Sequence, residues 1–173
     1  ADNNCNGETD EGVTPDYYLD TDGDTYGDAN NVVFACALSS GASETATSTP
    51  GALIEPGTLV HSNAITLSGC GTLSDLQVTT DITHAYRGDL QIQLSSPTGT
   101  VVILNASNLV DSTTDFQGTW ADAGGDFSPH EALSTFAGED SAGDWTLEVE
   151  DTYEWQDDGV FHSWGVTAIC GSP

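Results

Sequence analysis

Residues 89–104 read DLQIQLSSPTGTVVIL, and their pattern decides the fold. Leu90, Ile92 and Leu94 alternate with Gln91 and Gln93, the period of two expected of a strand with one buried and one wet face. Pro97-Thr98-Gly99 turns the chain, and Val101, Val102, Ile103 and Leu104 return it as the second arm of a hairpin. The same texture extends outward. Over 74–83, Leu76, Val78, Thr80 and Ile82 share one face, while Asp75, Gln77, Thr79 and Asp81 share the other. Leu147 and Val149 alternate with Glu148 and Glu150, and Trp164, Val166 and Ala168 with Ser163, Gly165 and Thr167, which predicts two strands interior to a sheet. Strands are expected near 58–67, 74–83, 89–95, 100–105, 145–151 and 160–169, with two more inside the looser 106–142 region. No segment sustains a helical apolar period, so the expected class is an all-β sandwich. Trp145 and Trp164 belong in its core rather than on a ligand platform.

The 173 residues carry 28 Asp and Glu but a single Lys or Arg, Arg87, for a net charge of −27. Such a chain repels itself and needs diffuse salt or bound divalent cations. Nucleic acid and anionic membranes are excluded as partners by the same charge. No apolar run approaches the roughly 20 residues that span a bilayer, and no signal peptide opens the sequence, which reads as a mature, excised piece of an exported protein, expected as a monomer. Cys5, Cys36, Cys70 and Cys170 show no CxxC spacing, and an even count in a chain of this composition favours two disulfides and an extracellular location. Three pairings are possible. Grouping by region favours Cys5 with Cys36 and Cys70 with Cys170.

Composition divides the chain into an Asp/Asn-rich segment at 1–37, a small polar linker or extended lead-in at 38–50, and a strand-rich domain at 51–173. Within the first, Asp20, Asp22, Asp24 and Asp28 stand at relative positions 1, 3, 5 and 9, with the carbonyl of Tyr26 at position 7. Eighteen residues earlier, Asp2, Asn4, Asn6, Glu8 and Asp10 repeat the scheme, with Gly7 at the sixth position. Hard oxygen donors at alternate positions around a tight backbone are what Ca2+ needs to gather its six to eight ligands. The flanking helices of an EF-hand are missing. The two rows, DNNCNGETDEG and YYLDTDGDTYGD, resemble thrombospondin type 3 repeats and the Asp/Asn-rich motifs of bacterial secreted proteins. That resemblance implies a small irregular extension ordered by calcium and disulfide.

Three further blocks carry a second resemblance. HAYRGDL at 84–90, SPTGT at 96–100 and GDWTLEVED at 143–151, with SW at 163–164, are similar to the P domain, or Homo B domain, that follows the catalytic domain of kexin- and furin-like and of bacterial secreted subtilisin-like proteases. The resemblance covers about 51–170 and implies a jelly-roll β-sandwich without catalysis of its own. Gly143-Asp144-Trp145 departs from the family's usual Gly-Thr-Trp, the loop over 152–158 differs from its short Ala-Gly-Asp run, and Cys70 is not generally required there.

By that resemblance and by charge, Arg87 should meet an acid of the C-terminal strands or loops, Asp151 first, at a cost of about 3–5 kcal/mol for losing a buried partner. Arg87-Gly88-Asp89 also spells an integrin-binding tripeptide, but its place at a strand start favours a structural role. Asp89, Asp122 and Asp151 are candidates for a second calcium layer inside the sandwich. His61, His84, His130 and His162 sit in no Gly-x-Ser-x-Gly or His-Glu-x-x-His pattern, so independent catalysis is not expected. The function expected is therefore a calcium-stabilised accessory domain of a secreted bacterial protease, bracing the adjacent catalytic domain or docking protein substrate. The alternative is an adhesion or carbohydrate-binding module of a surface protein, with Tyr153 and Trp155 stacking on sugar rings.

Overall fold

The computed structural model describes residues 42–57, 59–154 and 158–171, and the chain divides after Ser40. The metal-ligand candidates between Asp2 and Asp28, together with Cys5, Cys36 and Trp155, lie outside the described residues.

Two antiparallel sheets pack face to face. One follows the order β1 (Ser43–Ser48), β9 (Gly159–Cys170), β4 (Leu73–Thr83), β7 (Phe116–Trp120), and β2 (Ala52–Ile54) pairs with the start of β9. The other follows β3 (Val60–Leu67), β8 (Gly143–Asp151), β5 (Leu90–Ser95), β6 (Val101–Asn105). Both strands expected to be interior, β8 and β9, have partners on each side.

The period of two in the sequence becomes the inner faces of the two sheets. Leu76, Val78 and Ile82 of β4 and Phe161, Trp164, Val166 and Ala168 of β9 are buried, as are Leu90, Ile92 and Leu94 of β5 and Trp145, Leu147 and Val149 of β8. Each such aliphatic side chain contributes about 1.5–3 kcal/mol on burial. The three core tryptophans keep their indole N–H groups satisfied. Trp120 Nε1 donates to Thr80 Oγ1 at 2.9 Å, Trp145 Nε1 to Ser141 O at 3.0 Å and Trp164 Nε1 to Asn63 Oδ1 at 2.7 Å.

The hairpin at 89–104 is β5–β6, with Ser96 N–H donating to Thr100 O and Gly99 at φ 92°. Elsewhere the elements differ from expectation. Residues 43–48, read as part of a linker or lead-in, form β1 in register from Ser43 opposite Ile169 to Ser48 opposite Trp164. This strand carries no aliphatic row, and its pairing is set by the open edge of β9 rather than by its own hydrophobicity. The 106–142 region yields one strand, β7, and the 3-10 turn η2 (Leu133–Phe136), where two strands were expected. Its Asp, Gly and Ser residues bond locally, leaving only isolated bridges such as Thr72 opposite Asp140. Cys70 and Cys170 form a disulfide that ties the start of β4 to the end of β9. No helix among the described residues is long and apolar enough to cross a membrane.

Candidate functional site

The HAYRGDL block leaves β4 at Thr83 and enters β5 through η1 (Arg87–Asp89), a single 3-10 turn. The crossover at 105–115 packs directly on this turn. Arg87 N–H donates to Thr113 O at 2.8 Å, and Asn108 N–H donates to Gly88 O at 2.6 Å. Gly88 is required by that packing, because a Cβ there would stand 2.3 Å from Asn108 O and 2.4 Å from Asp111 O. Gly88 and Asp89 are buried. The Arg-Gly-Asp tripeptide is thus folded into the structure rather than presented to a partner.

Arg87 does not reach Asp151. Its Nε donates to Asp111 Oδ2 at 3.0 Å, and its guanidinium lies 5.3 Å from the Phe116 ring centre and 5.8 Å from that of Phe127. The pair is half-exposed, with side chains 28% and 30% accessible. The reason is direction. Arg87 turns outward over Phe116 of β7 and Phe127, where its charge stays partly hydrated, whereas Asp151 points inward at the end of β8 and is fully buried. Asp111 also accepts from the Thr113 hydroxyl and N–H, and these bonds, then Arg87, hold its carboxyl below the usual range.

Asp151 faces His84 instead. Nε2 of His84 lies 3.4 Å from Asp151 Oδ2 with both side chains excluded from solvent, and Oδ1 accepts Tyr153 N–H at 2.9 Å. On its other side His84 Nδ1 bonds Tyr86 O at 2.8 Å. The ring thereby joins the end of β8 to the turn before η1. The main chain of His84 is paired in both directions with Asp115. His84 N–H donates to Asp115 Oδ1 at 2.9 Å and Asp115 N–H to His84 O at 3.2 Å, with Asp115 held at φ 59°.

The three sandwich acids proposed for calcium are placed apart in role. Asp89 and Asp151 stand at adjoining strand ends, since Leu90 is opposite Asp151 and Asp89 O accepts from Thr152 N–H and Oγ1. Asp122 is occupied elsewhere, its two oxygens accepting Leu133 N–H at 2.7 Å and Ser134 N–H at 2.9 Å to close the first turn of η2. Burial pushes its carboxyl up, and the bonds from Ser134 and Leu133 outweigh that and hold it low. Among the described residues no three His, Cys, Asp or Glu side chains gather into a metal-holding group.

Beside the His84–Asp115 pair opens a cleft of 340 Å³, lined by Leu53, Thr83, His84, Ala85, Thr114, Asp115, Asp158, Gly159 and Val160. It lies where β2, the end of β4 and the start of β9 meet.

The proprotein convertase P-domain model matches residues 73–168, from the start of β4 almost to the end of β9. The chain belongs to the proprotein convertase P-domain family. Among curated relatives, the transglutaminase-activating metalloprotease of Streptomyces mobaraensis is 37% identical over 103 residues, 60% of this chain and 12% of that protein. Human proprotein convertase subtilisin/kexin type 6 is 38% identical over 80 residues, 46% of this chain and 7% of its own. The chain therefore matches only a small fraction of the length of these relatives. The serine protease of Aeromonas sobria, solved with its chaperone, shares the fold at a TM-score of 0.51 and 19% identity, over 76% of this chain and 27% of that one.

Several functional contacts of this P domain carry no sequence signature. Asp111 lies in a loop with only the Asp-x-Thr spacing of a side-chain-capped turn to mark it. The His84–Asp151 contact joins residues 67 positions apart in the chain. Leu53, Leu59, Val60 and Tyr153 are exposed apolar groups, and Gly57 N–H donates to Tyr153 O. Tyr153, a candidate sugar platform, is 40% accessible.

Proposed function

We propose that this P domain is a non-catalytic accessory module of a secreted protease, bracing the catalytic domain beside which it folds, with calcium ordering the Asp/Asn-rich rows at 2–28. The observation that carries the reading is the family match over 73–168, made by relatives that are themselves proteases and in which the matched stretch is a small part of the whole. A unit that small relative to its parent serves a larger catalytic body.

The internal chemistry is consistent with a brace. His84, Arg87 and Asp151 join β8, η1 and the 105–115 crossover, which ties together one end of the sandwich. The calcium part of the reading rests on the spacing of Asp20, Asp22, Asp24 and Asp28 and of its repeat from Asp2 to Asp10. The test is the parent protease with and without residues 41–173. Removal should shorten the half-life of activity at elevated temperature while leaving kcat of the surviving enzyme unchanged. A rise in KM for protein substrates alone, with an unaltered half-life, would mean that the domain docks substrate instead.

A further inference from the structure

The 340 Å³ cleft beside Asp115 combines apolar and acidic lining. Leu53, 61% accessible, and Val160 form apolar walls, the Thr83 and Thr114 residues add hydroxyls, and Asp115 and Asp158 contribute carboxylates. No Lys or Arg lines it, and the domain's one guanidinium is engaged with Asp111 and two phenyl rings.

At Gly159 a Cβ would stand 2.5 Å from His84 Cδ2 and 2.6 Å from Thr83 O, so the glycine lets the start of β9 pack directly on His84 beside the cleft. Asp115 is fixed by its two bonds to the His84 main chain, one of which uses Oδ1. Its carboxylate therefore holds its place without rearrangement on binding. Apolar Leu53 and Val160 beside the carboxylates of Asp115 and Asp158 are complementary to a long aliphatic stem with a cationic head.

We infer that this cleft receives a lysine or arginine side chain projecting from the catalytic domain that the P domain accompanies. The inference rests on the accessory-domain reading for the identity of its partner. Charge complementarity supports that occupant. A surface facing a chain of net charge −27 gains by presenting cations, and exposed Leu53 offers the stem an apolar contact that a small inorganic cation would not use.

The probe is N-acetyl-lysine N-methylamide titrated into the 173-residue chain at physiological salt, followed by NMR, with the norleucine analogue as the uncharged control. The lysine compound should shift the amides of His84, Ala85, Asp115, Gly159 and Val160, and the norleucine compound should not. The double variant Asp115→Asn/Asp158→Asn keeps shape and acceptors and should weaken binding about fivefold, the sum of two exposed ion pairs. Asp75→Asn/Asp144→Asn, distant acids, should leave it unchanged. Equal shifts from norleucine, or lysine shifts spread over the acidic surface and indifferent to the first double variant, overturn the inference. In the parent protease the same Asp115→Asn/Asp158→Asn variant should shorten the thermal half-life. If deleting residues 41–173 shortens that half-life but the double variant does not, the brace stands and the cleft is not its contact.

Discussion

Arg87→Ala tests how the domain uses its only cation. Two contributions are removed. The Arg87–Asp111 pair, with side chains 28% and 30% accessible, falls in the exposed range of about 0.2–1 kcal/mol. The guanidinium over Phe116 and Phe127 adds about 0.5–1 kcal/mol. Asp111 keeps its bonds from Thr113, so no buried charge is stranded and the larger penalty of a severed interior pair does not apply. The total is about 1–2 kcal/mol, or roughly 3–10 °C in Tm for a unit of this size. Calorimetry at low and at high salt separates the parts, because salt screens the ion pair more than the ring contact. Asp111→Asn should cost less than Arg87→Ala, since it leaves the cation over the rings. A loss above about 3 kcal/mol would place Arg87 in a buried pair and refute the geometry. So would an Asp111→Asn cost equal to that of Arg87→Ala, because the rings would then contribute nothing.

Other outcomes follow from particular contacts. Cys70→Ser/Cys170→Ser opens a loop of sequence separation 100 and should cost about 2–4 kcal/mol in chemical denaturation; an unchanged midpoint would contradict the bond. Excess chelator at matched ionic strength should lower Tm, and Asp22→Asn/Asp24→Asn should abolish that effect while Asp122→Asn preserves it; a chelator effect lost only in Asp122→Asn would move the calcium to η2. Gly159→Ala forces a Cβ onto His84 and Thr83 O and should cost about 1–3 kcal/mol, read as a lowered Tm, while Gly124→Ala, which meets nothing within 4 Å, changes little beyond the strain of its positive φ. For pH, the carboxyls of Glu44, Asp111, Asp122 and Glu139 all lie below their ordinary values in the folded state. Their stabilisation is present above the unfolded values near pH 4 and is lost as pH falls through the lower folded ones. Tm measured in high salt should accordingly drop below about pH 4, and a flat profile to pH 3 would count against these bonds.

The sandwich was legible wherever the chain alternates aliphatic and polar side chains. Leu76 to Ile82, Leu90 to Leu94 and Leu147 to Val149 are buried on the faces their spacing implied, because one wet and one dry face leaves a direct trace in residue type. Strand β1 left no such trace. Its Ser43–Ser48 is exposed on one face and half-buried on the other and is held by main-chain pairing to β9, with Glu44 accepting Ser68 and Gly69 N–H across the neighbouring turn. The site was legible only in part. The HAYRGDL block could be recognised as a unit, but the partner of Arg87 depends on the path of the 105–115 crossover, and that path is set by the Gly88 contact with two carbonyl oxygens. Charge arithmetic supplied 28 possible partners and no means of choosing among them.

A domain with one cation cannot neutralise its acids by ion pairing, and the contacts show what replaces it. Glu44 takes two backbone N–H groups, Asp122 takes two more, and Glu139 takes the hydroxyls of Thr98 and Thr100 at the β5–β6 hairpin. Asp126 accepts Thr119 N–H and Asp140 accepts Ala142 N–H. Each bond stabilises the ionised carboxylate at short range without a counter-charge, and each fixes a turn or a strand end. Local geometry is thereby rigid while the long-range repulsion of the −27 charge stays in place. Such a domain is ordered by its own dipoles and remains electrostatically unsatisfied as a whole, so a cation bound from outside would add stability that these internal contacts do not provide.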